Sequence, residues 1–254
     1  MASDRPVVVV TGGARGIGLG IAQLFAENGY AVVIADRDSA RGKIAAKELP
    51  VEAAVRFVCA DIAQEAAVQA LMAETAEAFG RLDVLCNNAG IETYRAADAV
   101  SSEEWDATQS TNVRGAFLCI KYAYPHLARA RGSVVNIASV QSFANEPQAA
   151  AYAASKAALL GMTRAMAIDF APAHVRVNAI CPGAVDTPMM DGFLRQQPDP
   201  EAARSRLCAA IPLGRLAVPR DVAEVALFLS SSKASYITGA SFLVDGGLLA
   251  RLAL

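Results

Sequence analysis

The 254-residue chain is poor in the residues from which metal centres and disulfide frameworks are built. Its two histidines, His126 and His174, stand far apart, and its cysteines, Cys59, Cys86, Cys119, Cys181 and Cys208, include no CxxC, so no metal site is expected. Five cysteines, odd in number, widely spaced and mostly inside apolar segments, read as buried free thiols in a reducing compartment, hence a cytoplasmic protein. No apolar run reaches the roughly 18 residues that span a bilayer, and the first strand pattern starts within about six residues of Met1, so neither a membrane span nor a signal peptide is expected. Charged residues make up 19% with a net charge of −2, and the scattered Lys and Arg form no footprint for nucleic acid or an anionic membrane. No Pro/Ser-rich linker or charge block divides the chain, and 54% hydrophobic residues supply a large core, so a single α/β domain over 1–254 is expected.

What is present begins with VVVVTGGARGIG, Val7 to Gly18. The β-branched run Val7–Val10 has no polar alternation, as in a strand covered on both faces. Gly12, Gly16 and Gly18 follow at once: the first permits a sharp turn, the second lets backbone approach a phosphate, and the third allows a helix, Gly16–Asn28, to pack closely. Open N–H groups and the positive dipole end of that helix suit an anion. The next strand, Ala31–Ala35, ends at Asp36, where a dinucleotide-binding unit places a carboxylate on the adenosine ribose.

Helix Ser39–Leu49 and strand Ala54–Cys59 lead to Asp61, which suits either an adenine amino group or the cap of a helix Gln64–Phe79. Strand Leu82–Cys86 then runs into NNAG, Asn87–Gly90, whose Asn side chains can hold neighbouring backbone and whose glycine leaves room for a flat ligand. Ser102 reads as the cap of a broken helix that carries Trp105 and Asn112 to about Arg131. Asn112 either satisfies a kink or faces the site. Strand Ser133–Ala138 ends at Ser139, and a long helix follows with Tyr152 and Lys156 one turn apart on one face. Strand Val175–Ile180, the Pro182–Gly183 turn, a polar region from Thr187 to about Arg206, helix Pro219–Ser230, strand Ser241–Val244 and the apolar tail Leu248–Leu254 complete the chain.

In this order and spacing, TGGARGIG, Asp36, NNAG, Asn112, Ser139, the YAASK run and Pro182–Gly183 resemble the short-chain dehydrogenase/reductase family in its form of roughly 250 residues, over the whole chain. The resemblance implies a single-domain Rossmann fold, a seven-stranded parallel sheet with helices on both faces, a homotetramer, and hydride transfer with NAD or NADP. It implies Asn112, Ser139, Tyr152 and Lys156 as the catalytic set. Tyr152 is the acid/base, Ser139 bonds the substrate oxygen, Lys156 favours the phenolate and bonds the nicotinamide ribose, and Asn112 holds a water that links Lys156 to solvent. Gly12, Arg15, Gly16, Ile17, Gly18, Asp36, Asp61, Ile62, Asn88, Ala89, Gly90, Pro182, Gly183, Val185 and Thr187 join Tyr152 and Lys156 around the cofactor. The segment around 187–210 is expected as a mobile lid.

Glu92, Gln141, Asn145 and Glu146, with Tyr94, fall in loops at the carboxyl edge of the sheet, where open α/β folds bind ligands. Their polarity, and the similarity of SVQ to family members that oxidise aldoses, point to a sugar or polyol as substrate. Asp36 favours NAD over NADP. The alternatives are an NADPH-dependent 3-oxoacyl-thioester reductase, for which Arg15 and Arg37 could hold a 2′-phosphate, and a dinucleotide-binding regulator without chemistry.

Overall fold

A computed structural model describes residues 5–50 and 52–251. Among these, seven strands occur in chain order: β1 (Val7–Thr11), β2 (Ala31–Asp36), β3 (Val55–Cys59), β4 (Val84–Asn87), β5 (Ser133–Ile137), β6 (Arg176–Pro182) and β7 (Ser241–Val244). They form one parallel sheet ordered β3-β2-β1-β4-β5-β6-β7. The chain moves outward from β1 to β3, then returns to the other side of β1 with β4. A crevice therefore opens between the carboxyl ends of β1 and β4, the position at which such sheets bind ligands.

The connecting helices are α1 (Gly16–Glu27), α2 (Ser39–Glu48), α3 (Glu65–Phe79), α4 (Ser102–Gln109), α5 (Ala116–Ala130), α6 (Ala150–Phe170), α7 (Pro188–Arg195), α8 (Pro200–Ala210) and α9 (Pro219–Ser230). Successive strand side chains point to opposite faces, so the run of valines divides between two cores. Val8 and Val10 pack with Ile21 and Phe25 of α1, Ala45 of α2 and Leu229 of α9. Val7 and Val9 pack with Leu71 of α3, Leu118 of α5 and Ala167 of α6. Every residue of β1 is buried, whereas the edge strands β3 and β7 alternate.

Four local expectations change. Helix α4 is capped by Ser101, not Ser102: Ser101 Oγ accepts from Glu104 N (3.1 Å) and Glu104 Oε2 accepts from Ser101 N (3.0 Å). That reciprocal box needs a Glu three residues after the cap, and Trp105 occupies that place relative to Ser102. The break before α5 is a π-helical turn, Ser110–Gly115, that contains Asn112. The polar region after Thr187 forms α7 and α8, each with Pro at its start and capped by Thr187 (Oγ1 to Met190 N, 3.4 Å) and Asp199 (Oδ1 to Ala202 N, 3.0 Å). Cys86, Cys119 and Cys181 are buried free thiols as expected, but Cys59, at the end of edge strand β3, is exposed and Cys208 is half-buried. Of the expected tail, 252–254 lie outside the described residues.

Candidate active site

Along the carboxyl ends of the strands runs a cleft of about 720 Å³. Every predicted site residue lines it except Gly18 and Asn112, which stand behind its wall. At one end the turn after β1 meets the turn after β4. Gly12 has φ +62°, and a Cβ there would come within 2.8 Å of the Ala89 Cα. A Cβ on Gly18 would fall on the Gly12 carbonyl oxygen, so α1 can start this close to the turn only with glycine at that position. Thr11 fastens the two turns: its Oγ1 accepts from Asn88 N (3.1 Å) and Ala89 N (3.2 Å), while Asn88 Nδ2 donates to Thr11 O and Gly12 O, both at 3.0 Å.

Helix α1 opens here with Arg15 as its cap residue and no side-chain cap, which leaves its N-terminal N–H groups for an anion. Asp36 is fixed at the end of β2 by Ala14 N (3.2 Å to Oδ2) and Asp38 N (3.0 Å to Oδ1). The Arg15 guanidinium is paired with Asp38. Asp61 Oδ1 accepts from Ala63 N (3.0 Å) in the turn before α3 and lines the cleft; the cap residue of α3 is Gln64, so Asp61 shapes the turn and does not cap the helix as expected.

At the inner end, α6 places Tyr152 and Lys156 one turn apart, both buried, with Lys156 Nζ 5.5 Å from the Tyr152 ring centroid. Burial pushes the Tyr152 phenol well above its ordinary value, the charge of Glu92 adds to this, and a hydrogen bond with Ser139 opposes it. Lys156 is pulled down to about 8 by burial, against the attraction of Glu92. Its Nζ donates to Ile137 O at 2.8 Å. Ser139 therefore favours the phenolate of Tyr152. Ser139 Oγ also accepts from Gln141 N at 3.1 Å, so capping the turn 140–142 and contacting Tyr152 are both properties of one hydroxyl.

Asn112 is buried in the π-helical turn with both ends of its amide engaged. Its Oδ1 accepts from Ile91 N (2.8 Å), and its Nδ2 donates to Ile91 O (2.9 Å) and Ser155 Oγ (2.9 Å). It ties the loop after β4 to α6.

The far end of the cleft gathers the four expected substrate residues. Tyr94 OH donates to Glu92 Oε2 (3.1 Å), and Gln141 Nε2 donates to Glu146 Oε1 (2.7 Å). Burial raises both carboxyl pKa values. Tyr94 meets Phe193 of α7 with ring centroids 5.1 Å apart, and Met189, Met190, Leu248 and Leu249 complete an apolar roof. Sequence reasoning missed Thr11, Ser155, Asp38 and the part of the roof made by Leu248 and Leu249, whereas Met189, Met190 and Phe193 lie in the segment expected as a lid. Thr11 carried a signal, a polar residue closing an all-apolar strand. Ser155 and Asp38 act through partners visible only in space.

A family model described as enoyl-(acyl carrier protein) reductase matches residues 12–249. The chain is 41% identical to an L-fucose dehydrogenase of Bos taurus over 242 residues, 95% of this chain and 88% of that one. It is 40% identical to a meso-2,3-butanediol dehydrogenase of Serratia marcescens over 251 residues, 98% and 97% of the two chains. Among solved structures, an aldohexose dehydrogenase of Thermoplasma acidophilum in ligand-free form superposes with a TM-score of 0.90 at 34% identity, covering 98% of this chain and 96% of that one. A 3-ketoacyl-(acyl-carrier-protein) reductase from Brucella melitensis complexed with NADH gives 0.88 at 37%, covering 97% and 98%. The match of the family model over residues 12–249 and the identities to relatives covered almost end to end carry the conclusion: the chain belongs to the short-chain dehydrogenase/reductase family and is an oxidoreductase that interconverts alcohols and carbonyls with a nicotinamide dinucleotide.

Proposed function

We propose that the enzyme oxidises a sugar, polyol or other hydroxylated small molecule with NAD, and that Tyr152 is its acid/base. The observation that carries this reading is the buried Tyr152 phenol, grouped with Ser139 and Lys156 at the inner end of a cleft whose outer end holds Asp36. The glycine turn and uncapped start of α1 fit a pyrophosphate, and Asp36 fits two ribose hydroxyls. Bound there, the nicotinamide supplies a hydride acceptor for the carbinol carbon. Asp61 and Ile62 would face the adenine, Thr187 the carboxamide, and Asn88, Ala89, Gly90, Pro182, Gly183 and Val185 the body of the cofactor.

Ser139 holds the substrate oxygen, and Tyr152 Oη takes its proton as the carbon is oxidised. Free tyrosine, with a pKa near 10, is a weak acceptor at neutral pH, so Lys156 must leave the Ile137 carbonyl and bring its cation to the phenol and the ribose. Asn112 acts by position: its side chain is spent on Ile91 and Ser155, and any water between Lys156 and solvent would rest on its main chain. The names of the fucose, butanediol and aldohexose dehydrogenases support a hydroxylated substrate.

A second reading, 3-oxoacyl-thioester reduction with NADPH, draws on the Brucella melitensis relative. Against it, Arg15 is held by Asp38 beside Asp36, so that with Arg37 the four charged groups at this end sum to zero and offer a 2′-phosphate no net attraction. A panel of aldoses, diols, simple secondary alcohols and 3-oxoacyl thioesters with both cofactors separates the readings. Sugars or diols with NAD are expected to give the highest kcat/KM, and a thioester with NADPH at the top would reverse the assignment.

We also propose a cytoplasmic homotetramer. Free thiols support the compartment, and the outer side of α6, with Ala157 and Gly161 exposed and Ile168 76% exposed, supports self-association. Light scattering at micromolar concentration should return four times 26.5 kDa, and a monomer mass would refute it.

A further inference from the structure

The polar groups at the far end of the cleft are matched unevenly. Tyr94 spends its hydroxyl proton on Glu92, and Gln141 spends an amide proton on Glu146. What they leave for a substrate is mostly acceptors, the second oxygen of each carboxylate and Gln141 Oε1, which is buried and has no partner among the described residues, beside the second amide proton of Gln141 and the amide of Asn145. A buried acceptor left empty costs free energy that a ligand donor would recover. Among the described residues no cation forms an ion pair with either carboxylate; of the lining cations Lys156 alone attracts Glu92, and none acts on Glu146. Arg15 and Arg37 belong to the dinucleotide end, and Lys156 donates to Ile137 O beside Tyr152. The phenyl, thioether and leucyl groups of the roof limit the water that could screen a charge.

We propose that Glu92 and Glu146 set the charge selectivity of the substrate site, so that it takes neutral molecules whose hydroxyls donate to these acceptors and rejects molecules that carry a carboxylate or phosphate. This rests on the reading that the substrate is a hydroxylated small molecule. Glu92 is the stronger determinant, because its charge reaches both Tyr152 and Lys156 and so lies close to the reacting carbon. A carboxylate on the substrate within a few ångström of Glu92 meets like charge, whereas a hydroxyl meets an acceptor.

The test is initial-rate kinetics with NAD on matched pairs, D-glucose against D-glucuronate and 2-butanol against 3-hydroxybutyrate, for wild type, Glu92→Gln and Glu146→Gln. Wild type should favour the neutral member of each pair by about tenfold or more in kcat/KM, as like charges in such a site imply. Glu92→Gln should narrow that ratio by raising the value for the anion, and Glu146→Gln should narrow it less. A wild type that accepts the anions as well as the neutral members overturns the proposal without any variant. So does a folded Glu92→Gln with an unchanged ratio, or a D-glucosamine kcat/KM above that of D-glucose, which would make the pair a cation site. If glucose is not oxidised, the result bears on the choice of sugar and not on the charge selectivity, which the butanol pair still reads.

Discussion

Tyr152 and Lys156 carry opposite burdens. Tyr152→Phe keeps the buried ring and removes the proton acceptor. It should lower kcat by about 10²-fold or more, the usual contribution of general acid–base catalysis, with the Kd for NAD nearly unchanged by fluorescence titration. A variant that keeps over about a tenth of wild-type kcat would place the base elsewhere. Lys156 is held as a buried amine whose pKa falls from 10.5 to about 8. At pH 7 it is protonated in both folded and unfolded chains, so the folded state bears the full cost of desolvating the cation, about 3 kcal/mol for such a depression. Between about 8 and 10.5 the folded chain binds fewer protons than the unfolded one, and stability rises with pH. Lys156→Met should therefore raise the unfolding midpoint of the cofactor-free enzyme at pH 7 and raise it less at pH 10. An equal or larger gain at pH 10 would contradict the assignment.

The elements differ in how much of themselves they write into local sequence. β1 and α1 are legible because four valines and three glycines act on their immediate neighbours, and Tyr152 and Lys156 because one helical turn fixes their relation. The capping of α4 was misplaced by one residue, since Ser101 and Ser102 differ only in which has Glu104 three positions on. The starts of α7 and α8 were written as Thr-Pro and Asp-Pro, though the stretch was read only as a polar region expected to form a lid. The π-helical turn and the Asn112 bridge to Ile91 and Ser155 have no local signature, because the partners lie 21 and 43 residues away. Gly18 gives an element-scale test. Ala at this position must push α1 off the Gly12 carbonyl, and overpacking of this kind costs about 1–3 kcal/mol. For a domain of this size the loss should appear as a fall in Tm of roughly 2–4 °C per kcal/mol, together with weaker NAD binding. An unchanged Tm would mean that the helix start has room that the backbone does not show.

At the scale of the molecule, the parallel sheet brings together residues that the chain separates widely: Asp36 from β2, Tyr152 from α6 and Glu92 from the loop after β4 share one cleft because the strand order reverses between β1 and β4. The order of motifs made that assembly legible. The pairings of Arg15 with Asp38 and of Gln141 with Glu146 became visible only in three dimensions. The central claim is that this assembly runs on NAD because Asp36 receives the ribose hydroxyls. A 2′-phosphate about 4 Å from that carboxylate would cost about 4 kcal/mol per unit of like charge at an effective dielectric near 20, before relaxation. The exposed Arg15 returns about 1 kcal/mol or less and is already engaged with Asp38. The most direct measurement is kcat/KM for NAD and for NADP, with one oxidisable sugar or diol at saturation, in wild type and Asp36→Ala. The account predicts a wild-type preference for NAD that narrows in the variant, chiefly through better use of NADP. A wild-type enzyme with the higher kcat/KM for NADP would contradict it.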